Sequence, residues 1–394
     1  MRFVLATAVF FAVVSTAAAD SYLVLPFFNV SRNQNVNWVG ESLAEAMREN
    51  LASEGLIVLD RDDCVEAYRR LSIRPYSSLT KASVIKIGEA VDAEHVIFGH
   101  FDLTPASAGS KSRGSLQITA GLLDLRHLRE GPEFVEIGAV EDLASLQGHL
   151  AWQTLRYIKP KGAPSESEFR ARHPTVRIDA IESYVRGLVA NNPDEEHRLF
   201  TQAARLDGQY SQPCFQLGRL LWKKKEYKSA GDWFQKVSAS DVHYREANFF
   251  LGLCRYYTGD FAAARAAFQL VARSVPLSEV YNNLGAAESR ANLPEALENF
   301  RKALEGDSTD TSYLFNSGYS LWKQGKYDEA AVQFRAVLVR NPSDTQASML
   351  EARCARQSGP RAGDPATEGL ERLKTNYEES AYWQLKAALQ PDKP

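Results

Sequence analysis

A period of about 34 residues through the second half of the chain limits what that half can become more than any other feature. Phe200, Phe234, Phe268, Phe300 and Phe334 are separated by 34, 34, 32 and 34 residues, and Gly218, Gly252, Gly285 and Gly318 by 34, 33 and 33. Two series sharing one period indicate one structural unit repeated. Ala230, Ala264, Ala296 and Ala330 each stand four residues before a Phe, and Val237, Val271, Ala303 and Val337 three residues after it. Small residues at fixed places predict closely packed helices. In LGRLLWKKKEYKSAGDWFQKV (residues 217–237) the glycine admits a second helix, KKKEY makes the turn, and Ala230 with Phe234 form the second helix's packing face. Pro276 and Pro342 fall between units, where they end a helix.

LGLCRYYTGDFAAARAAFQLVARSVP (251–276) and SGYSLWKQGKYDEAAVQFRAVLVRNP (317–342) resemble the tetratricopeptide repeat, whose pattern runs aromatic, Leu-Gly, Tyr, Gly-x-Tyr, Ala, Phe, Ala, Pro. The resemblance covers 179–358 and implies an all-α superhelix of about five helical hairpins. The unit from Gly187 to Ala203 has a short turn and Glu196 in the alanine position, as a capping repeat would. The unit with Gly285 is one residue short, with Asn292 at the usual turn glycine. Two further helices, Thr367 to Asn376 and Ser380 to Leu389, are expected within a terminal cap over 359–394.

Ahead of the array the pattern switches between strand and helix periods. SYLVLPFF (21–28) and LIVLD (56–60) are short apolar runs of strand type, and Trp38 to Glu54 is an amphipathic helix on Val39, Leu43, Met47 and Leu51. A helix over Leu79 to Val91, strands over Glu94–Leu103 and Ser115–Leu125 joined by PASAGSKSRG, and a helix over Asp142–Ile158 complete an α/β domain across 20–158. LPFFNVSRNQNVNWVGESLAEAMRENLASEGLIVLDRDD, followed by IGEAVDAEHVIFGHFDL, resembles the TolB amino-terminal, FlgO and CsgG-like envelope domains. That resemblance implies a domain that associates with protein assemblies. The lipidated cysteine of the pore-forming members is missing from it. KPKGAPSESEFRARHP, within 159–178, is polar and Pro-rich, which predicts a linker.

Arg2, the apolar run Phe3–Val14 and STAAAD read as an export signal cleaved after Ala19. The expected product is periplasmic or secreted, with no integral membrane segment once the signal (1–19) is removed. The four cysteines are far apart and form no CxxC pair, so buried free thiols are expected. A formal charge of −3 gives no electrostatic footing for nucleic acid.

In such an array the first helix of each hairpin lines the concave face. Counting from the glycines places Phe215, Arg219 and Trp222; Phe249, Leu253 and Tyr256; Asn282, Asn283, Ala286 and Arg290; and Phe315, Asn316, Tyr319 and Trp322 there. Side-chain amides can satisfy the backbone of an extended peptide while rings bury its side chains, so a peptide or protein partner is the expected ligand. The competing reading makes several of these rings packing residues between helices. Only Arg219 and Arg290 are basic, too few for a terminal-carboxylate clamp. HExxH, CxxC and GxSxG are all missing, His95 and His100 fall on opposite faces of one strand, and Asp62 and Asp63 suit a helix start. The expectation is a non-enzymatic interaction scaffold without cofactor or metal, which can associate with an envelope complex. The alternative is a structural CsgG/FlgO-like component of an envelope secretion or assembly machine.

Overall fold

The structure is a computed structural model and describes residues 20–31, 33–107 and 112–389. The export signal over 1–19 lies outside the described residues, as does part of the Gly/Ser-rich loop.

The first unit is a mixed sheet of β1 (Ser21–Val24), β2 (Phe28–Asn29), β3 (Ile57–Val58), β4 (His95–Pro105), β5 (Gly114–Asp124) and β6 (Arg129–Ala139). Its order is β3-β1-β4-β5-β6, with β1 parallel to β3 and β4, and with β4, β5 and β6 an antiparallel meander. β2 resumes the course of β1 along β4 after a break at Leu25–Phe27, where Pro26 cannot donate to a ladder. The edge strand β6 escapes sequence reading because Gly131 and Pro132 interrupt its alternation, whereas Phe134 and Glu136 still face inward beside exposed Val135 and Ile137.

α1 (Trp38–Ser53) buries Val39, Leu43, Met47 and Leu51 on one sheet face, where α4 (Leu143–Ile158) joins it. α2 (Arg61–Arg70) and α3 (Lys81–Glu89) cover the other face with Cys64, Val84 and Ile87. Arg48 of α1 is buried and donates to the Val24 carbonyl at 2.8 Å and to Glu45 at 2.7 Å, while Glu41 accepts from Arg61 at 2.6 Å. Burial alone would raise the Glu45 carboxyl, but the adjoining Arg48 guanidinium holds it below its usual value.

The expected linker is not one. Within 159–178, α5 (Glu166–Arg172) is fixed by a capping box between Ser165 and Glu168. Phe169 is 1% exposed in the same apolar cluster as the sheet and the first repeat. One aromatic at the right helical position outweighs a polar composition. The cluster continues through Ala180, Tyr184, Phe200 and Tyr210, so sheet unit and repeats share a core.

The array follows as hairpins: α6 (Ile178–Leu188) with α7 (Pro193–Leu206), α8 (Gln212–Lys223) with α9 (Tyr227–Phe234), and α10 (Tyr244–Tyr257) with α11 (Phe261–Ala272). α12 (Ser278–Arg290) with α13 (Ala296–Gly306) and α14 (Thr311–Lys323) with α15 (Tyr327–Arg340) continue it, and α16 (Thr345–Ala355) closes it. Each first-helix glycine lies over the phenylalanine of its own second helix. A Cβ on Gly252 would fall 2.7–2.9 Å from atoms of the Phe268 ring, and one on Gly285 would fall 2.8 Å from that of Phe300. The turns share a left-handed residue: Lys225 (φ 61°), Gly259 (81°), Asn292 (55°) and Gly325 (76°). Asn is among the side chains that tolerate this region best, which explains Asn292 in the glycine position.

All four cysteines are buried and unpaired, and burial raises the Cys64 thiol to about 12 and the Cys214 thiol to about 11.

The expected helix over Thr367–Asn376 does not form. After α16 the chain turns through Gly359–Gly369, where the Thr367 and Glu368 N–H groups donate to the Asp364 carbonyl, runs extended from Leu370 to Glu378, and α17 (Glu379–Leu389) follows. The helix fails because the concave face offers this stretch better partners than its own backbone does.

Gly252→Ala should lower the unfolding free energy by roughly 1–3 kcal/mol through overpacking against Phe268. Gly208→Ala, with nothing within 4 Å of the added carbon, should stay within about 0.5 kcal/mol. Urea denaturation of the two variants measures the contrast.

Candidate peptide-binding groove

Asn282 and Asn283 on α12 and Asn316 on α14 are fully buried, although each carries an amide that must be satisfied. The extended segment after α16 satisfies them. The Arg372 N–H donates to Asn316 Oδ1 at 2.8 Å, and the Arg372 carbonyl accepts from Asn316 Nδ2 at 2.7 Å and Asn282 Nδ2 at 2.8 Å. One repeat earlier, the Lys374 N–H donates to Asn283 Oδ1 at 2.8 Å and the Lys374 carbonyl accepts from Asn283 Nδ2 at 2.7 Å. Asn316 also donates to Asn282 Oδ1 at 2.8 Å, which fixes the orientation of both amides. Asn283 and Asn316 both stand two residues before the repeat glycine, so each repeat grips every second residue of an extended chain. The ladder ends there, because Phe250 occupies that position in the preceding repeat.

The strap runs against the order of the repeats. Trp322 Nε1 donates to the Ser358 carbonyl at 2.8 Å, and the Tyr319 hydroxyl to the Thr367 carbonyl at 2.8 Å. Gly369, at φ 71°, lies so near Arg290 that a Cβ would fall 2.0 Å from its Nη1. Leu373 packs near Tyr256, Tyr377 stacks on Phe249 with ring centroids 4.9 Å apart, and Glu378 N–H donates to Glu279 at 3.1 Å. At the end Glu379 pairs with Arg245 and accepts from Trp383 Nε1 at 2.9 Å.

Alternate side chains point to different walls. Arg372 makes two bonds to Asp344, at 2.7 and 2.8 Å, and lies 3.6 Å from the Phe315 ring centroid; Lys374 pairs with Asp310. Glu371 points inward, where Oε1 accepts from the Ser289 hydroxyl at 2.7 Å with Lys323 Nζ at 3.8 Å. Burial lowers the Lys323 ammonium and raises the Glu279 carboxyl, whereas the hydrogen-bonded Arg372 guanidinium lowers the Asp344 carboxyl.

The residues expected on the concave face therefore divide. Phe249, Tyr256, Asn282, Asn283, Arg290, Phe315, Asn316, Tyr319 and Trp322 meet the strap, and Ala286 is buried beneath it with Leu373 alongside. Phe215 instead stacks on His243 at 4.4 Å under Arg219, Trp222 packs among Tyr227, Phe250 and Tyr257, and Leu253 is core. Asp310 and Asp344 escaped the sequence reading. Both are helix N-caps, an ordinary role for aspartate, and their separation of 34 residues, one repeat, was the available signal. Among the described residues no group of three or more His, Cys, Asp or Glu is placed to hold a metal ion, and no helix is long and apolar enough to cross a membrane.

Replacing both Asn283 and Asn316 by alanine leaves three strap backbone groups without partners, the Arg372 carbonyl keeping Asn282, at about 1–3 kcal/mol for each that stays buried. Trypsin cleavage after Arg372 and Lys374 should accelerate at least about tenfold, since about 1.4 kcal/mol of local opening is one decade. The Asp344–Arg372 pair has a definite pH sign. Because the folded-state pKa of Asp344 is depressed, its contribution is complete above the ordinary aspartate value and fades as pH falls through the depressed one. The urea-midpoint difference between the wild type and Arg372→Gln should accordingly be present at pH 6 and shrink towards pH 3.

Residues 215–279, 286–333 and 315–360 match the tetratricopeptide repeat family profile. No curated protein matches the chain. Solved structures similar to it include MamA from Desulfovibrio magneticus RS-1, at 22% identity over 43% of this chain and 99% of that one with a TM-score of 0.39. YrrB, described as a TPR protein with an unusual peptide-binding site, is 23% identical over 49% of this chain and 93% of its own, TM-score 0.36. PilF of Pseudomonas aeruginosa is 19% identical over 45% of this chain and 83% of its own, TM-score 0.37. The hairpins from α8 to α16 are tetratricopeptide repeats.

Proposed function

We propose that this chain is an exported, non-enzymatic protein-interaction scaffold whose repeat array binds an extended protein segment on its concave face. The observation that carries this reading is the paired grip of Asn316 on Arg372 and of Asn283 on Lys374. Amides that bond both N–H and C=O of alternate residues recognise extended backbone whatever its sequence, and the neighbouring walls then add side-chain selectivity. Buried asparagines at equivalent repeat positions carry amide groups that their bonds to one another satisfy only in part, so they need a further partner, which suits a ligand face. Export rests on the basic, apolar and small-residue order of residues 1–19. The α/β half, with its TolB, FlgO and CsgG-like sequence features, serves as the docking module towards an envelope component.

Site-specific photocrosslinking in the native envelope tests the assignment. A benzophenone amino acid at Arg290, in the groove, should capture a protein partner, and Asn283→Ala with Asn316→Ala should abolish that capture. Capture solely from Ile137, on the exposed side of β6, would move the binding function to the α/β half. N-terminal sequencing of the exported protein should begin at Asp20.

A further inference from the structure

The groove already holds a peptide, and that peptide belongs to the chain. We infer that residues 366–379 are an internal ligand occupying the groove, and that the external partner is an extended protein segment of the same charge order, acidic, basic, apolar, basic, that displaces them. The inference rests on the reading of the concave face as a peptide site, and adds what that site selects and what keeps it closed.

Three observations separate the strap from an ordinary part of the wall. Its backbone is held by side-chain amides on other elements, the mode by which a groove holds a separate peptide, and by no ladder of its own. Its side chains meet a ready-made recognition pattern. Asp344 and Asp310, the N-caps of α16 and α14, receive Arg372 and Lys374, while Glu371 turns inward to Ser289 and Lys323. The Lys374–Asp310 pair keeps 22% and 19% of its side-chain surface in solvent and is the more open to salt and to competition, whereas the Asp344 carboxylate that receives Arg372 is only 7% exposed. Finally, the strap is joined to α16 through the turn Gly359–Asp364, with Gly363 at φ 75°, and secured at its far end by the Glu379 pair with Arg245 of α10. It can leave as a unit without unravelling any helix hairpin.

A ligand tethered by so short a turn acts at an effective concentration of the order of millimolar. The closed chain therefore rejects weak segments and admits one that outbids the strap or arrives when the strap is loosened. Selectivity follows the walls: the amides accept any extended backbone, whereas the two carboxylates spaced for alternate residues demand a basic-x-basic segment.

The test uses a fluorescent peptide of residues 366–379 against the full mature chain and against the same chain with Arg372→Glu and Lys374→Glu, which sets the strap's charges against Asp344 and Asp310. Anisotropy should show the loosened chain binding at least about tenfold more tightly than the wild type, and a peptide with both basic residues reversed should not bind. In parallel, a protease site inserted in the Gly359–Asp364 turn lets the folded wild-type chain be nicked, after which the labelled peptide should exchange for the strap. Equal binding by both chains would overturn the internal-ligand inference and leave the peptide groove standing. No binding by either chain, together with a nicked strap that never exchanges, would make the strap a fixed part of the wall and remove the groove itself as the binding site. If the loosened variant fails to fold by circular dichroism, exchange into the nicked chain decides alone.

Discussion

The contact of a helix glycine with the phenylalanine ring of its own hairpin sets everything downstream of it. With no Cβ at Gly218, Gly252 and Gly285, the rings of Phe234, Phe268 and Phe300 lie directly on the first helix, and each hairpin closes at the same spacing. Hairpins of equal thickness stack in register, so residues two before the glycine form a row on the inner surface. Asn283 and Asn316 occupy that row and meet Lys374 and Arg372, two residues apart on one extended strand. A solenoid that curved irregularly could not present two amides in step with a peptide's two-residue repeat.

What this row does is unusual for buried polar groups. Three fully buried asparagines would each cost free energy if left unpaired, and pairing them with one another leaves most of their capacity unused. The strap backbone supplies the remaining donors and acceptors. Charge follows the same division. Glu371 lies buried between Ser289 and Lys323, whereas Arg372 and Lys374 keep part of their own surface in solvent and reach the carboxylates of Asp344 and Asp310. The inner contact fixes the register, and the outer ones tune strength in a salt-dependent way. The N-terminal sheet contributes a rigid foundation, because its core continues through Phe169 into the first repeat.

The helical hairpins were legible because two residue series carried one period, and Asn282, Asn283 and Asn316 were legible as groove residues because they keep phase with the glycines. The division among the aromatics was not. Trp222 and Trp322 hold equivalent positions, yet the first packs against Tyr227 and Phe250 while the second donates to the Ser358 carbonyl, a difference set by the strap passing one end of the array. The strap was the least readable element. Leu370, Leu373 and Tyr377 fall near helical spacing among charged residues, so local pattern favours a helix. The competing partners lie about 55 to 90 residues away in sequence, at Asn316, Asn283 and Asn282. β6 and α5 were missed for a related reason, since each depends on a few inward side chains, Phe134 in one and Phe169 in the other, within otherwise polar stretches.

The central claim is that asparagine amides of the repeats hold the backbone of the C-terminal segment. Hydrogen exchange of individual amides by NMR tests it most directly. The Arg372 and Lys374 amides, which donate to Asn316 and Asn283, should exchange slowly, with protection far above that of the exposed neighbours Thr375 and Asn376. If Arg372 and Lys374 exchange at the rate of an unstructured peptide, the segment does not occupy the groove and the account fails.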